Sequence, residues 1–272
     1  MSWQDCAALV EQGDPDRFMS AMAAPPAGRA MLFPLYAFNL ELAKAPWVTS
    51  EPQLAEIRLQ WWRDAIAEIY EGRPPRRHEV VTPLAEVITA RALPRNLFDA
   101  MIDARGFDIY DAPHMGRAGF DAYITATAGN LMQLAVLSLG GDAAARKAAG
   151  EFGYGCGVGV LLSALPALYA SGRNPIPVAG DLDRNALIEG RMPEPLASAI
   201  KPIAADARAR IAQARKSSLP GAVTPALLHG WRIEPVLNRA VTDPASLLTD
   251  PPVQSEFARR FGFLWRSMMG RW

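Results

Sequence analysis

FGYGCGVGVLLSALPALYASG, from Phe152 to Gly172, runs for 21 residues without a charged side chain, between Glu151 and Arg173. About 20 apolar residues are enough for a helix to cross a bilayer. The composition points elsewhere. Gly153, Gly155, Gly157 and Gly159 alternate, and Pro166 interrupts the run. Each glycine costs a helix about 1 kcal/mol relative to alanine. In return, neighbouring backbones or a ligand can approach closely. The stretch is therefore read as the central helix of a bundle, lining a cavity. A second uncharged run, Ala122 to Gly141, carries Tyr123, Thr125, Thr127, Asn130 and Gln133. It is too polar for a span and suits a buried bundle helix.

Outward from this stretch the pattern is helical almost throughout. Asp14-Pro15-Asp16 starts a short helix, with Asp14 as cap and proline in the first turn. Pro25-Pro26 ends it, and a long apolar helix follows from Ala27 to about Lys44. Pro52 opens the next, where Leu54, Ile57, Trp61, Ala65 and Ile69 recur at helical spacing until Gly72. Further helices fit Thr82 to Arg91, Pro94 to about Ile109, Arg117 to Leu139, Asp142 to Ser171, Pro193 to Ser217, Pro225 to Ala240 and Pro252 to Met269. Asp181 or Asp183 is expected to cap a helix after the stiff Asn174 to Val178 connector. No strand pattern of useful length is present. The fold class is all-α, a helical bundle spanning 1–272 as one domain.

Composition narrows the function. Lys+Arg and Asp+Glu stand at 28 each, so the net charge is zero. The chain as a whole attracts neither nucleic acid nor an anionic bilayer, and no nucleic-acid partner is expected. Cys6 and Cys156 are the only cysteines, which suggests a reducing compartment without disulfides. The opening MSWQDCAALVEQGD lacks a secretory pattern, so a cytoplasmic location is expected. His78, His114 and His229 show no zinc-ligand spacing, and no P-loop, dinucleotide fingerprint or nucleophile elbow occurs.

Several segments, taken in order, carry a resemblance. Arg17-Phe18, the Pro25-Pro26 step and Tyr36-Ala37-Phe38 come first. LQWWRDAIAEIYEGRP follows, then LPRNLFDAMIDARGFDI with Asp103 and Asp108, then FDAYITATAGNLMQLAVLSLGG. From about Asp14 to Arg215 the chain resembles the squalene/phytoene synthases. The resemblance implies an isoprenoid-synthase fold around a central apolar cavity. It also implies two facing acidic motifs, whose Mg²⁺ ions would neutralise a departing diphosphate.

The acidic motifs are where the likeness stops. The first falls on LELAKAPW, where Ala43, Lys44 and Trp47 take the acidic positions and Leu40 replaces an arginine. The second falls in the opening stretch, on Ala167, Ala170 and Ser171. A branch represented by the mitochondrial complex I assembly factor 6 is similar in being synthase-like without these motifs. The leading expectation is thus a non-catalytic member that binds an isoprenoid or lipid, or assists assembly of a respiratory membrane complex with a protein partner. No cofactor is expected.

Two rivals stand beside it. An active head-to-head prenyltransferase would need Mg²⁺ and substitute carboxylates, Asp64 with Glu68 and Asp99 with Asp103, each pair sharing a helix face. A peripheral membrane protein could instead bind an isoprenoid without converting it. Tyr36, Phe38, Trp62, Tyr154, Gly159 and Ser163 are the candidates for lining the cavity. The C-terminal FARRFGFLWRSMMGRW is both basic and aromatic. It could attach to a membrane surface, placing the chain peripherally on an inner membrane, or dock on the bundle with its arginines outside.

Overall fold

The computed structural model describes residues 2–48, 51–110, 116–178, 180, 182–249, 256–270 and 272, with no strand among them. Local chemistry sets most boundaries. Asp5 accepts the Ser2 backbone N–H at 2.7 Å to open α1 (Trp3–Gly13). Asp14 caps α2 (Pro15–Met22) by accepting Arg17 N–H at 3.0 Å. The proline step leads into α3 (Pro26–Lys44), a 3₁₀ turn (Ala45–Trp47), α4 (Pro52–Tyr70) and α5 (Val81–Arg91). The helix expected from Pro94 divides into α6 (Arg95–Ala104) and α7 (Gly106–Tyr110).

The helix expected from Arg117 to Leu139 is also interrupted. Between α8 (Gly116–Ile124) and α9 (Asn130–Ser138), Thr125–Gly129 widens into a π turn. Thr127 there donates its hydroxyl to the Tyr123 carbonyl at 2.8 Å. Asp142 caps α10 (Ala143–Ser163), which ends before α11 (Leu165–Ala170). Pro166 supplies no N–H to extend the α10 ladder, so the expected single helix breaks at Ala164. Asp183 caps α12 (Arg184–Ile188) through Ala186 N–H at 3.1 Å; Asp181 lies outside the described residues. Then come α13 (Glu194–Ala214), α14 (Thr224–Leu227), a 3₁₀ segment (Leu228–Arg232), α15 (Ile233–Thr242), α16 (Ser246–Thr249) and α17 (Glu256–Met269).

Helix α10 stands at the centre, and its glycines form two seams. A Cβ on Gly153 would come within 2.8 Å of the Ala128 carbonyl, and one on Gly157 within 2.5 Å of Ala128 Cβ. That seam seats the π turn. A Cβ on Gly155 would strike Ile211 of α13, and one on Gly159 would strike Ile233 of α15. Members of each pair are four residues apart and so share a helix face. The alternation read in the sequence is two interleaved seams, each bringing a different neighbour close. A continuous core runs from Cys6 to Leu247 around them.

One face differs from expectation, and a second lies open to solvent. On α4 the buried side is Ala55, Leu59, Trp62, Ala65 and Ile66, whereas Leu54 and Ile57 border an open groove with Val48. On α17, Leu264, Trp265, Met268 and Met269 are exposed. No helix among the described residues is long and apolar enough to cross a membrane.

Candidate functional site

A cavity of about 360 Å³ opens between α2, α3, α8 and α10. Leu40, Ala43 and Trp47 come from the end of α3 and the turn after it. Ile124 and Ala128 come from the π-turn region, and Gly157, Val160, Leu161, Ala164 and Leu168 from the central stretch. Asp14, Arg17, Asn39, Arg105, Asp108, Tyr123, Thr127, Arg173 and Asn174 supply the polar wall. The π turn brings Thr127 and Ala128 to the cavity together, a placement common for such turns at functional sites.

The carboxylates in this wall are Asp14 and Asp108, and each is engaged. Asp14 pairs with the Arg17 guanidinium. Burial works against the Asp14 charge, yet Arg17, through its guanidinium and its backbone N–H, holds the carboxyl below its usual range. Burial likewise works against charged Arg17, and its surroundings, Asp14 foremost with Tyr36 and Cys156, more than offset it. Arg105 donates to Asp108 and to the Tyr123 hydroxyl, both at 3.0 Å, and the Tyr123 hydroxyl donates to Asp108 at 3.0 Å. Burial, chiefly, pushes the Tyr123 hydroxyl well above its ordinary pKa, so it remains a neutral donor. The side chains of Arg17 and Arg105 are only 14% and 15% exposed.

A third guanidinium closes the mouth. Arg173 lies 3.9 Å from the Trp47 ring centroid and donates to the Asp108 carbonyl at 2.7 Å. A cation over an indole face at that distance is favourably placed. Behind Arg17 the interior stays polar. The Tyr36 hydroxyl and Arg17 Nε are buried without a hydrogen-bond partner in the protein. Burial, chiefly, lowers the nearby His229 to about 3, so it is neutral. Cys156 is buried too, and its thiol is pushed up to about 12, which makes it a core residue and not a nucleophile.

The expected metal positions divide. Ala43 and Trp47 do line the cavity, as does Leu40. Lys44 does not: it is exposed and reaches Glu41 at 3.5 Å, because it points to the other side of α3. Ala167, Ala170 and Ser171 are exposed as well. The break at Ala164 turns α11, so the uncharged wall consists of Val160, Leu161, Ala164 and Leu168.

None of the six expected cavity residues is among those lining it. Tyr36 is buried beneath Arg17. Phe38 and Trp62 pack edge-on at 5.3 Å in the core, with Phe98 beside Phe38. Tyr154 faces away from the cavity, donating to Asp121 at 2.5 Å with Arg210 4.0 Å over its ring. Gly159 seats Ile233, and exposed Ser163 donates to the Gly159 carbonyl at 2.9 Å.

The substitute carboxylates stay outside. Asp64 accepts from Gln60 at 2.7 Å, and Glu68 accepts two bonds from Arg76 at 2.8 and 2.9 Å. Asp99 pairs with Arg95 at 3.2 Å and Asp103 with Arg63 at 2.5 Å. Among the described residues no three His, Cys, Asp or Glu side chains group as metal ligands. His78 packs on Trp61 and Trp62, and His114 lies outside the described residues. Sequence reasoning missed Arg105, Tyr123 and Arg173 as site residues. Asp108, three residues after Arg105, was the available signal.

Comparisons with known proteins agree with this fold. The family model described as squalene/phytoene synthase matches residues 10–243. The Bos taurus protein named NADH dehydrogenase (ubiquinone) complex I, assembly factor 6 is 27% identical over 162 residues, 59% of this chain and 48% of that protein. The Mus musculus protein of the same name is 24% identical over 243 residues, 86% of this chain and 72% of that protein. The chain thus spans about half the length of the first of these relatives. The crystal structure of squalene synthase HpnC from Alicyclobacillus acidocaldarius gives a TM-score of 0.70 at 15% identity, covering 96% of this chain and 94% of that one. A dehydrosqualene synthase in complex with ligand gives 0.75 at 12% identity, covering 98% and 95%. Likeness at these identities is likeness of fold, the all-α isoprenoid-synthase bundle.

Proposed function

The chain belongs to the squalene/phytoene synthase family, and on that premise we propose that it is a non-catalytic member that binds one apolar ligand with an acidic head group. The observation that carries this is the state of the cavity's carboxylates. Asp14 and Asp108 are both held by arginines, which leaves no open acidic wall for a metal cluster. Departure of a diphosphate requires its growing charge to be neutralised by bridging cations. Arg17, Arg105 and Arg173 supply fixed positive charge, outnumbering the two carboxylates. They suit a resident anion. The volume, about 360 Å³, lies at the low end of the roughly 300–1,000 Å³ typical of small-molecule sites. It suits a single ligand better than two condensing chains.

The role extends to assembly of a respiratory membrane complex, a reading supported by the name that the curated relatives carry. A protein partner would dock around the mouth. Trp47 and Phe107 are exposed at the mouth, and Val48, Leu54, Ile57 and Tyr110 are exposed on the adjoining turn, α4 and α7. Patches of this kind mark interaction surfaces. Work at the inner face of a membrane fits both the ligand and the partner.

Titration with geranylgeranyl phosphate and geranylgeranyl diphosphate, each with Mg²⁺ or with chelator, tests the reading. Metal-independent binding of both, with diphosphate release at the background rate, is the expected result. Mg²⁺-dependent release would establish the prenyltransferase instead.

A further inference from the structure

The last helix presents an apolar row to solvent. Leu264, Trp265, Met268 and Met269 recur at spacings of one, three and four residues, which places them on one side of α17. Their exposure runs from 52% at Met269 to 76% at Met268. A surface helix ordinarily turns such a row to the core.

Helix α17 is held to the bundle by its other side. Gly262 rests on the Trp231 ring, where a Cβ would come within 3.0 Å of Cζ3. Beyond the helix, the Trp272 ring packs edge-on against Phe152 at 4.8 Å, and Arg215 Nε donates to the Trp272 carbonyl at 2.7 Å. These contacts set the helix rotation, so the outward row is not a matter of a helix left undocked. Arg215 at this anchor is itself paired with the Glu234 carboxylate.

Charge identifies the occupant. Residues 256–272 contain Arg259, Arg260, Arg266 and Arg271 against Glu256 alone, in a chain whose net charge is zero. We infer that α17 is a membrane-surface helix, whose Leu264–Met269 row enters the headgroup region of an anionic bilayer that the net positive charge of the segment favours. Tryptophan is at home at headgroup depth, and basic amphipathic helices gain both from apolar burial and from anionic lipid. A second copy is a poorer occupant. Face-to-face packing would bring two arginine-rich segments together with one glutamate each to offset them. The inference does not depend on what the cavity holds.

Flotation of the full chain tests it, using phosphatidylcholine vesicles with and without a quarter of phosphatidylglycerol. Recovery with the anionic vesicles is expected to exceed recovery with the neutral ones by about tenfold, and to fall about tenfold in the double variant W265S/M268S. Both replaced side chains are exposed, and a circular-dichroism melt of the variant checks that the fold is kept. Protein that stays with the lipid-free fraction in both mixtures overturns the proposal, as does a double variant that floats like the parent. Light scattering covers the competing occupant. A dimer that W265S/M268S dissolves, without vesicle binding, would assign the row to a second copy.

Discussion

Asp14 has two tasks, since it caps α2 and neutralises Arg17 at the inner wall of the cavity. Replacing it with asparagine preserves the cap but leaves a buried guanidinium without its counter-charge. The expected loss is ~3 kcal/mol, the usual cost of breaking one side of a buried pair, read from urea unfolding. The sign with pH follows from the lowered carboxyl. Its contribution is complete above the ordinary carboxylate range near pH 4 and is lost as pH falls below it. His229 acts over a higher window. Folded, it stays neutral down to about pH 3, whereas the unfolded chain takes up a proton near 6.5. Stability therefore falls as pH drops from about 6.5, with a slope of up to ~1.4 kcal/mol per unit from this group. H229Q should flatten that part of the profile; an unchanged slope would show that His229 is protonated in the fold.

For a helix, the test is whether the glycines of α10 serve spacing or flexibility. Alanine adds about 1 kcal/mol of intrinsic helix stability at any of them. At Gly153 that gain is opposed by the Ala128 carbonyl, 2.8 Å from the new Cβ, and by Met132 Cβ at 2.7 Å. Backbone cannot step aside, so G153A is expected to cost ~1–3 kcal/mol net, as overpacking does. Gly150 lies on the same helix, but its nearest neighbour is the Gln133 side chain at 3.2 Å. A small shift of that side chain suffices, and G150A should be neutral or mildly stabilising. Thermal melts of the two variants decide the matter: equal melting temperatures would mean that the seam is not tightly packed.

Across the whole molecule, the prediction concerns metal. A ligand that binds only the folded state raises the melting temperature according to its concentration over its dissociation constant. With Asp14 and Asp108 already paired, millimolar Mg²⁺ is expected to leave the melting temperature where chelator leaves it, within about 1 °C. An apolar phosphate should raise it, and R173A should weaken that rise by removing the cation stacked on Trp47. A clear Mg²⁺ shift would point to a divalent site that the paired carboxylates conceal.

The family, the all-α class and the positions of most helix starts were legible in the chain because they rest on local chemistry. Proline steps, aspartate caps and apolar spacing act over a few residues. The emptiness of the first acidic position was legible too, since Ala43 and Trp47 have no charge to offer in any fold. The cavity wall was not. Arg105, Tyr123 and Arg173 lie 18 and 50 residues apart along the chain, and only packing makes them neighbours of Asp108. The break at Ala164 then determines which residues of the Phe152–Gly172 stretch face inward, replacing Ala167 and Ala170 by Leu161, Ala164 and Leu168. The sequence by itself determined that this stretch is an uncharged, glycine-spaced helix, since composition and spacing are local properties. Tertiary structure decided what each side of it touches, because helix rotation depends on neighbours that come from distant parts of the chain.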